Sequence, residues 1–271
     1  MATLVVRYAR LLGVQLRASL LLAMQYRVEF LLDGFVEIFW MVPAIVPLAV
    51  IFDARPILAG ANGEAWSFGE ALMVVGWFTF LQGVLEGIIN PSLVTVVEHI
   101  RKGTLDFVLL KPADAQFLVS TARFQPWQCV NVFTALALFA WGFHRLGRWP
   151  APGDVGVAAV AMVAAIVVLY SLWILTVSAA FYLVRIDNLS QLFNAVFDAA
   201  RWPVGVFPRV VRLLFTFVVP LAVMTTFPAK ALLGTLGGVP LAGALAGAAA
   251  AFAVARMVWN ASIARYTSAG G

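Results

Sequence analysis

Charged side chains are scarce: Asp, Glu, Lys and Arg make up 11% of the 271 residues, against about 25% in a soluble domain. With 63% of the residues hydrophobic, a water-soluble globular fold is excluded. Cysteine is nearly absent. The single Cys129 excludes an internal disulfide and a multi-cysteine metal site, and its apolar setting reads as a small buried hydrophobe. The two histidines, His99 and His144, fall in segments expected on opposite sides of a membrane and cannot share a metal. G-x-x-x-x-G-K-[ST], H-E-x-x-H and G-x-S-x-G are all missing, so no phosphate cradle of the Walker type and no hydrolase signature is present. No catalytic residue, no metal and no cofactor bound by the chain is expected.

What is there is apolar sequence in runs of membrane length. A span needs about 20 apolar residues, and the pattern gives six. Residues 2–28 carry Arg7, Arg10 and Arg17 on one side of a helical wheel and read as a helix lying on the membrane surface, not as a cleaved leader. Spans are expected at Phe30–Phe52, Phe68–Asn90, Phe124–Phe143, Val155–Val184 and Gly238–Trp259. The fifth lies in a stretch cut by Pro203, Pro208, Pro220 and Pro228, and two readings stand. Either Leu189–Pro203 spans and 203–235 forms broken outer half-helices, or Leu189–Arg212 is interfacial and Leu213–Leu233 spans. The net charge of +5 is read as topology, not as nucleic-acid binding: the basic stretch 91–111 belongs in the cytoplasm, and with it both termini. Trp66, Trp141, Trp149 and Trp259 fall at span ends, where indoles prefer the interface; Trp77 and Trp173 fall mid-span and read as packing. Gly243 and Gly247 form a G-x-x-x-G, read either as intrasubunit packing or as a subunit interface.

Polar groups inside spans are costly, and each is a functional hypothesis. Glu29, Asp33 and Glu37 recur every four residues on one face of the first span. Gln82, Glu86 and Asn90, preceded by Thr79, do the same on the second, and Gln191, Asn194 and Asp198, followed by Arg201, on the fifth. The last two faces could line one wet path. The plainer reading pairs Asp198 with Arg201 locally and uses the amides to hold helices together.

The run Ile100-Arg-Lys-Gly-Thr-Leu-Asp-Phe-Val-Leu-Leu-Lys-Pro112, between the second and third spans, resembles the cytoplasmic segment of ABC-2 type permeases, through Arg101, Lys102, Gly103, Thr104, Leu105, Asp106, Leu109, Leu110 and Pro112. The N-terminal interfacial helix and the proline-broken stretch resemble the same fold. The tail Arg265-Tyr-Thr-Ser268 is similar to that of the subgroup associated with viologen-type drug exporters. The resemblance implies an all-α polytopic fold of six transmembrane helices with re-entrant outer half-helices, one permease domain over 1–271, in the cell's inner or plasma membrane. It implies a second permease subunit, identical or related, and two copies of a separate ABC ATPase that would hold ATP and Mg, with membrane lipid around them. Coupling to that ATPase would fall on a short helix over about Pro91–Lys102 and on Glu98, His99, Arg101, Lys102, Gly103, Thr104 and Asp106. The translocation path would take Glu37, Gln82, Glu86, Asn90, Gln191, Asn194 and Asp198. An ATP-driven exporter of an amphipathic, cationic or lipid-like small molecule is the first expectation. An ion-coupled secondary transporter using the intramembrane carboxylates is the alternative, and a non-transporting scaffold the third.

Overall fold

The computed structural model describes residues 2–25, 27–59, 65–182 and 187–266. The chain opens with α1 (Ala2–Gln25) and α2 (Arg27–Ala54). Helix α1 is seated on the segment 112–124. Arg7 donates to the Pro112 carbonyl, Tyr8 Oη accepts the Asp114 N–H at 3.0 Å, and Ser19 Oγ accepts the Phe124 N–H at 3.1 Å. The Tyr8 and Phe117 rings meet edge to face at 4.7 Å. Glu29, Asp33 and Glu37 have side chains outside the described set.

Between α2 and the next helix, a two-stranded antiparallel hairpin forms from β1 (Ile57–Ala59) and β2 (Ala65–Ser67), with Leu58 opposite Trp66. Ser67 then starts α3 (Phe68–Val84) with a reciprocal cap, its N–H donating to Glu70 Oε2 at 2.9 Å. The S-x-x-E spelling of this capping box stands in the sequence.

The second span does not stop at Asn90. Helix α3 runs through a π-turn at Leu85–Ile89 into α4 (Asn90–Arg101), one rod of 34 residues and about 51 Å at 1.5 Å per residue. The reason is Pro91. It has no N–H for the Gly87 carbonyl four residues back, and its ring crowds that carbonyl; the helix widens by one residue instead of ending. The freed Gly87 carbonyl accepts the Gln125 N–H at 2.8 Å. One turn on, the buried Ser92 Oγ donates to the Arg123 carbonyl at 2.6 Å and accepts the Arg123 N–H at 3.0 Å. A separate short helix over Pro91–Lys102 is therefore not formed; those residues continue the second span into a rod longer than a hydrocarbon core of about 30 Å.

After the turn at 102–105 come the short helices α5 (Asp106–Leu109) and α6 (Ala115–Ser120), then α7 (Cys129–Leu146), α8 (Pro152–Ser178), α9 (Asp187–Asp198), α10 (Arg209–Leu213), α11 (Phe227–Leu232) and α12 (Gly238–Ala264). The rod Phe68–Arg101 and the helices Pro126–Leu146, Pro152–Phe181 and Gly238–Ala264 are, among the described residues, long and apolar enough to cross a membrane. Leu213–Leu233 is not one helix: the backbone is extended at Val219 before Pro220. Instead, Leu221, Ala222, Met224 and Ala229 are buried in the bundle, where α11 and the preceding turn pack on α8.

The core joins Leu81, Leu85 and Leu93 of the rod to Leu169, Trp173 and Ile174 of α8 and Trp259 of α12. Trp66 and Trp259, 3% and 1% exposed, are buried against the rest of the chain, whereas Trp141 and Trp149 are exposed; Trp77 and Trp173 are buried as expected. Cys129 is exposed, not buried. The glycines that matter for packing are Gly69, Gly76 and Gly83 on α3, seven apart, facing α7: a Cβ on Gly76 would stand 2.5 Å from Phe139, and one on Gly142 2.3 Å from Met73 and 3.0 Å from the Gly69 carbonyl. Gly243 and Gly247 meet nothing within 4 Å; α12 packs on α8 through the neighbouring Ala244 and Ala248.

Gly142→Val should therefore destabilise the detergent-solubilised protein by about 1–3 kcal/mol through overpacking, read as a lower melting temperature, while Gly247→Val leaves the melting temperature of the isolated chain unchanged. Equal effects of the two would contradict the seam.

Candidate functional site: a basic turn tied to two spans

The rod ends in a tight turn whose residues each have a local task. Gly103 has φ +65°, a left-handed conformation that favours glycine at a helix C-terminus. The Lys102 N–H closes on the Glu98 carbonyl at 2.9 Å, and the Thr104 N–H on the His99 carbonyl at 2.9 Å. The side chains repeat that closure, since His99 Nδ1 and Thr104 Oγ1 share a hydrogen bond of 2.8 Å. Leu105 is fully buried in the core. Gly103, Thr104, Leu105 and His99 thus build the turn, and Glu98 pairs with Lys102 on its surface at 3.4 Å. Arg101 and Lys102 are exposed, and beyond them Phe107 and Leu110 are 70% and 80% exposed. Asp106, half-buried, starts α5. Sequence reading gave the contact to the charges here and no such role to Phe107 and Leu110, although their spacing of three puts both on one side of a helical turn.

Just after the turn lies a polar cluster that was also missed. Asp114 caps α6, accepting the Phe117 N–H at 2.9 Å. Its carboxylate meets the Arg256 guanidinium of α12 through both nitrogens, one at 3.1 Å. Arg256 Nη1 also donates to Gln116 Oε1 at 2.7 Å, Gln116 Nε2 donates to Tyr170 Oη of α8 at 2.9 Å, and Ser120 Oγ shares a 2.7 Å hydrogen bond with the same phenol. With Tyr8 on the Asp114 N–H, one cluster links α1, α6, α8 and α12. The hydrogen bonds from Arg256 hold the Asp114 carboxyl below its ordinary value, against a smaller opposing effect of burial. The signal was present: Arg256 is the one charged residue in Gly238–Ala264, and a lone intramembrane charge needs a partner.

The polar stripes are placed as follows. Gln82, Glu86 and Asn90 are half-buried along the rod, with Glu86 inside the π-turn and Asn90 Nδ2 donating to Glu86 Oε2 at 2.8 Å. Gln191 and Asp198 are exposed and Asn194 is half-buried on α9. Asp198 pairs with Arg201 at 2.9 Å. The second and fifth elements do meet: the Phe78 ring lies 5.2 Å from Phe197, and the Arg201 guanidinium sits 5.1 Å over Phe78. Glu37 is outside the described side chains, and among the described residues no cluster of His, Cys, Asp and Glu could hold a metal.

A family model described as ABC-2 family transporter protein matches residues 38–270. No curated protein and no solved structure matches the chain.

The cluster makes two predictions. Asp114→Asn and Arg256→Leu should be non-additive, with a coupling of about 0.5–3 kcal/mol in a double-mutant cycle, measured by chemical or thermal unfolding in detergent. Because the folded-state carboxyl titrates below its unfolded value, the stability it contributes is present above that ordinary value of 3.8 and is lost as the pH falls through the lower folded value. The stability gap between wild type and Asp114→Asn should thus be constant between pH 5 and 8 and shrink below 3.8; a gap that peaks in acid would contradict the pairing.

Proposed function

The chain belongs to the ABC-2 transporter family, and from that premise we propose that it is the membrane half of an ATP-driven exporter whose basic turn seats on a separate ATPase. A permease of this family is the transmembrane subunit of an ABC transporter and not its ATPase. The observation that carries the further reading is the tip at 101–112. Two large apolar side chains, Phe107 and Leu110, stand out into solvent among Arg101, Lys102 and Lys111. Apolar anchors within a polar rim are what a protein partner's groove binds. The rod that leads to them is longer than a bilayer's hydrocarbon core, which supports a tip at the membrane surface within reach of a soluble subunit.

In this reading both termini and residues 91–111 are cytoplasmic, the chain lies in the inner or plasma membrane as one permease domain, and it works with two ATPase copies and a second permease, identical or related. Glu98, Arg101, Lys102 and Asp106 rim the contact, while His99, Gly103 and Thr104 hold the turn. The path runs along Gln82, Glu86 and Asn90 and the face of Gln191, Asn194 and Asp198, with Glu37 at its inner end. The acidic bias of the first two spans favours a cationic or amphipathic cargo, and the Arg265–Ser268 tail is the basis for placing the chain near drug-exporting relatives.

Purification from the native membrane should bring down a P-loop ATPase, and Phe107→Asp/Leu110→Asp should lose it while leaving the melting temperature of the permease unchanged, because both side chains are exposed. Transport that follows the proton gradient and ignores ATP depletion would contradict this reading and favour the carboxylates as proton sites.

A further inference from the structure

Beside the rod is a cavity of about 720 Å³, within the roughly 300–1,000 Å³ of small-ligand sites. Three elements wall it: the C-terminal part of α1 from Ala18 to Ala23, the rod from Asn90 to Glu98, and the strap 122–127 leading into α7. Ser92 Oγ donates to the Arg123 carbonyl and accepts its N–H, and Ser19 Oγ accepts the Phe124 N–H, which holds the walls together. Small residues, Ala18 among them, keep the space open.

Its chemistry is mixed in a specific way. Arg123 and Glu98 line the same cavity. The Arg123 side chain is exposed and has no ion-pair partner among the described residues. Glu98 meets Lys102 through one oxygen only, in an exposed i,i+4 pair of the kind worth about 0.3–0.5 kcal/mol, so its carboxylate is available to a second cation. Trp127 lines the cavity with them, and apolar residues complete the lining: Leu22 is 66% and Val94 48% exposed. An anion site, a cation site and an apolar rim at the end of a membrane-spanning rod match one molecule with all three features.

We propose that this cavity binds a single phospholipid carrying a primary ammonium on its headgroup. The phosphate is received by Arg123, the ammonium by Glu98, and the upper acyl chains by Leu22, Val94 and Trp127. The bound lipid bridges α1 to the rod, filling space that protein atoms leave open. The inference does not rest on the ATPase contact, and its test uses the isolated chain.

The test is native mass spectrometry of the full chain in detergent, titrated separately with phosphatidylethanolamine, phosphatidylcholine and phosphatidylglycerol. One phosphatidylethanolamine should be retained per chain. Arg123→Ala should weaken it about fivefold, the loss of one basic contact at a membrane surface. Glu98→Gln should abolish the preference over phosphatidylglycerol, and Ala18→Trp, which fills the cavity, should remove the adduct while circular dichroism stays unchanged. Retention that is equal for the three lipids, or unaltered in the three variants, overturns the site. Competition by glycerophosphoethanolamine as strong as by the intact lipid assigns the cavity to a soluble molecule and overturns the lipid.

Discussion

One guanidinium organises the end of the bundle where the basic turn is built. Arg256 stands alone among the charges of α12, and a cation at that depth must be paired or must reach water. It is paired, through two nitrogens with Asp114 and through one with Gln116. Because Asp114 also caps α6 and its N–H reaches Tyr8, and because Gln116 leads on to Tyr170, satisfying this one charge fixes four helices relative to one another. A charge-assisted bidentate contact is the kind that fixes angle as well as distance, which is what a mechanical joint between a loop and a span requires.

The rod supplies the other constraint. Proline in the middle of a helix would ordinarily kink or end it. Here the π-turn absorbs Pro91, and the carbonyl it frees is taken by Gln125, so the rod stays continuous from Phe68 to Arg101 and is stitched to the strap before α7. In the proposed reading, a push at the turn would travel along two routes, the rod into the second span and the Asp114–Arg256 joint into the last one. Rigid elements with fixed joints are the means by which a displacement at one site is carried to another.

The architecture was legible in the sequence to the extent that it follows from composition and period. The long apolar runs and the proline-broken region correspond to elements. What was not legible depends on pairing in three dimensions. Pro91 reads locally as a helix end, and only the donor on Gln125 makes continuation the better outcome. Gly243 and Gly247 carry the more familiar spacing, yet the tight approach is made by Gly69, Gly76 and Gly142, because which glycines touch depends on which helices are neighbours. The Gly103–Leu105 run was legible as a marker, but its residues build the turn, and the surface it presents belongs to Phe107 and Leu110. Asp114 was invisible as a site residue because its partner lies 142 positions away.

The central claim is that the joint couples the turn to the last span. The most direct measurement is the number of substrate molecules exported per ATP hydrolysed by the permease reconstituted with the ATPase proposed as its partner, for wild type and for Arg256→Leu. The account predicts that the variant still binds the ATPase and still hydrolyses ATP, while export per ATP falls. An unchanged ratio would contradict it, and would mean that the rod alone carries the motion.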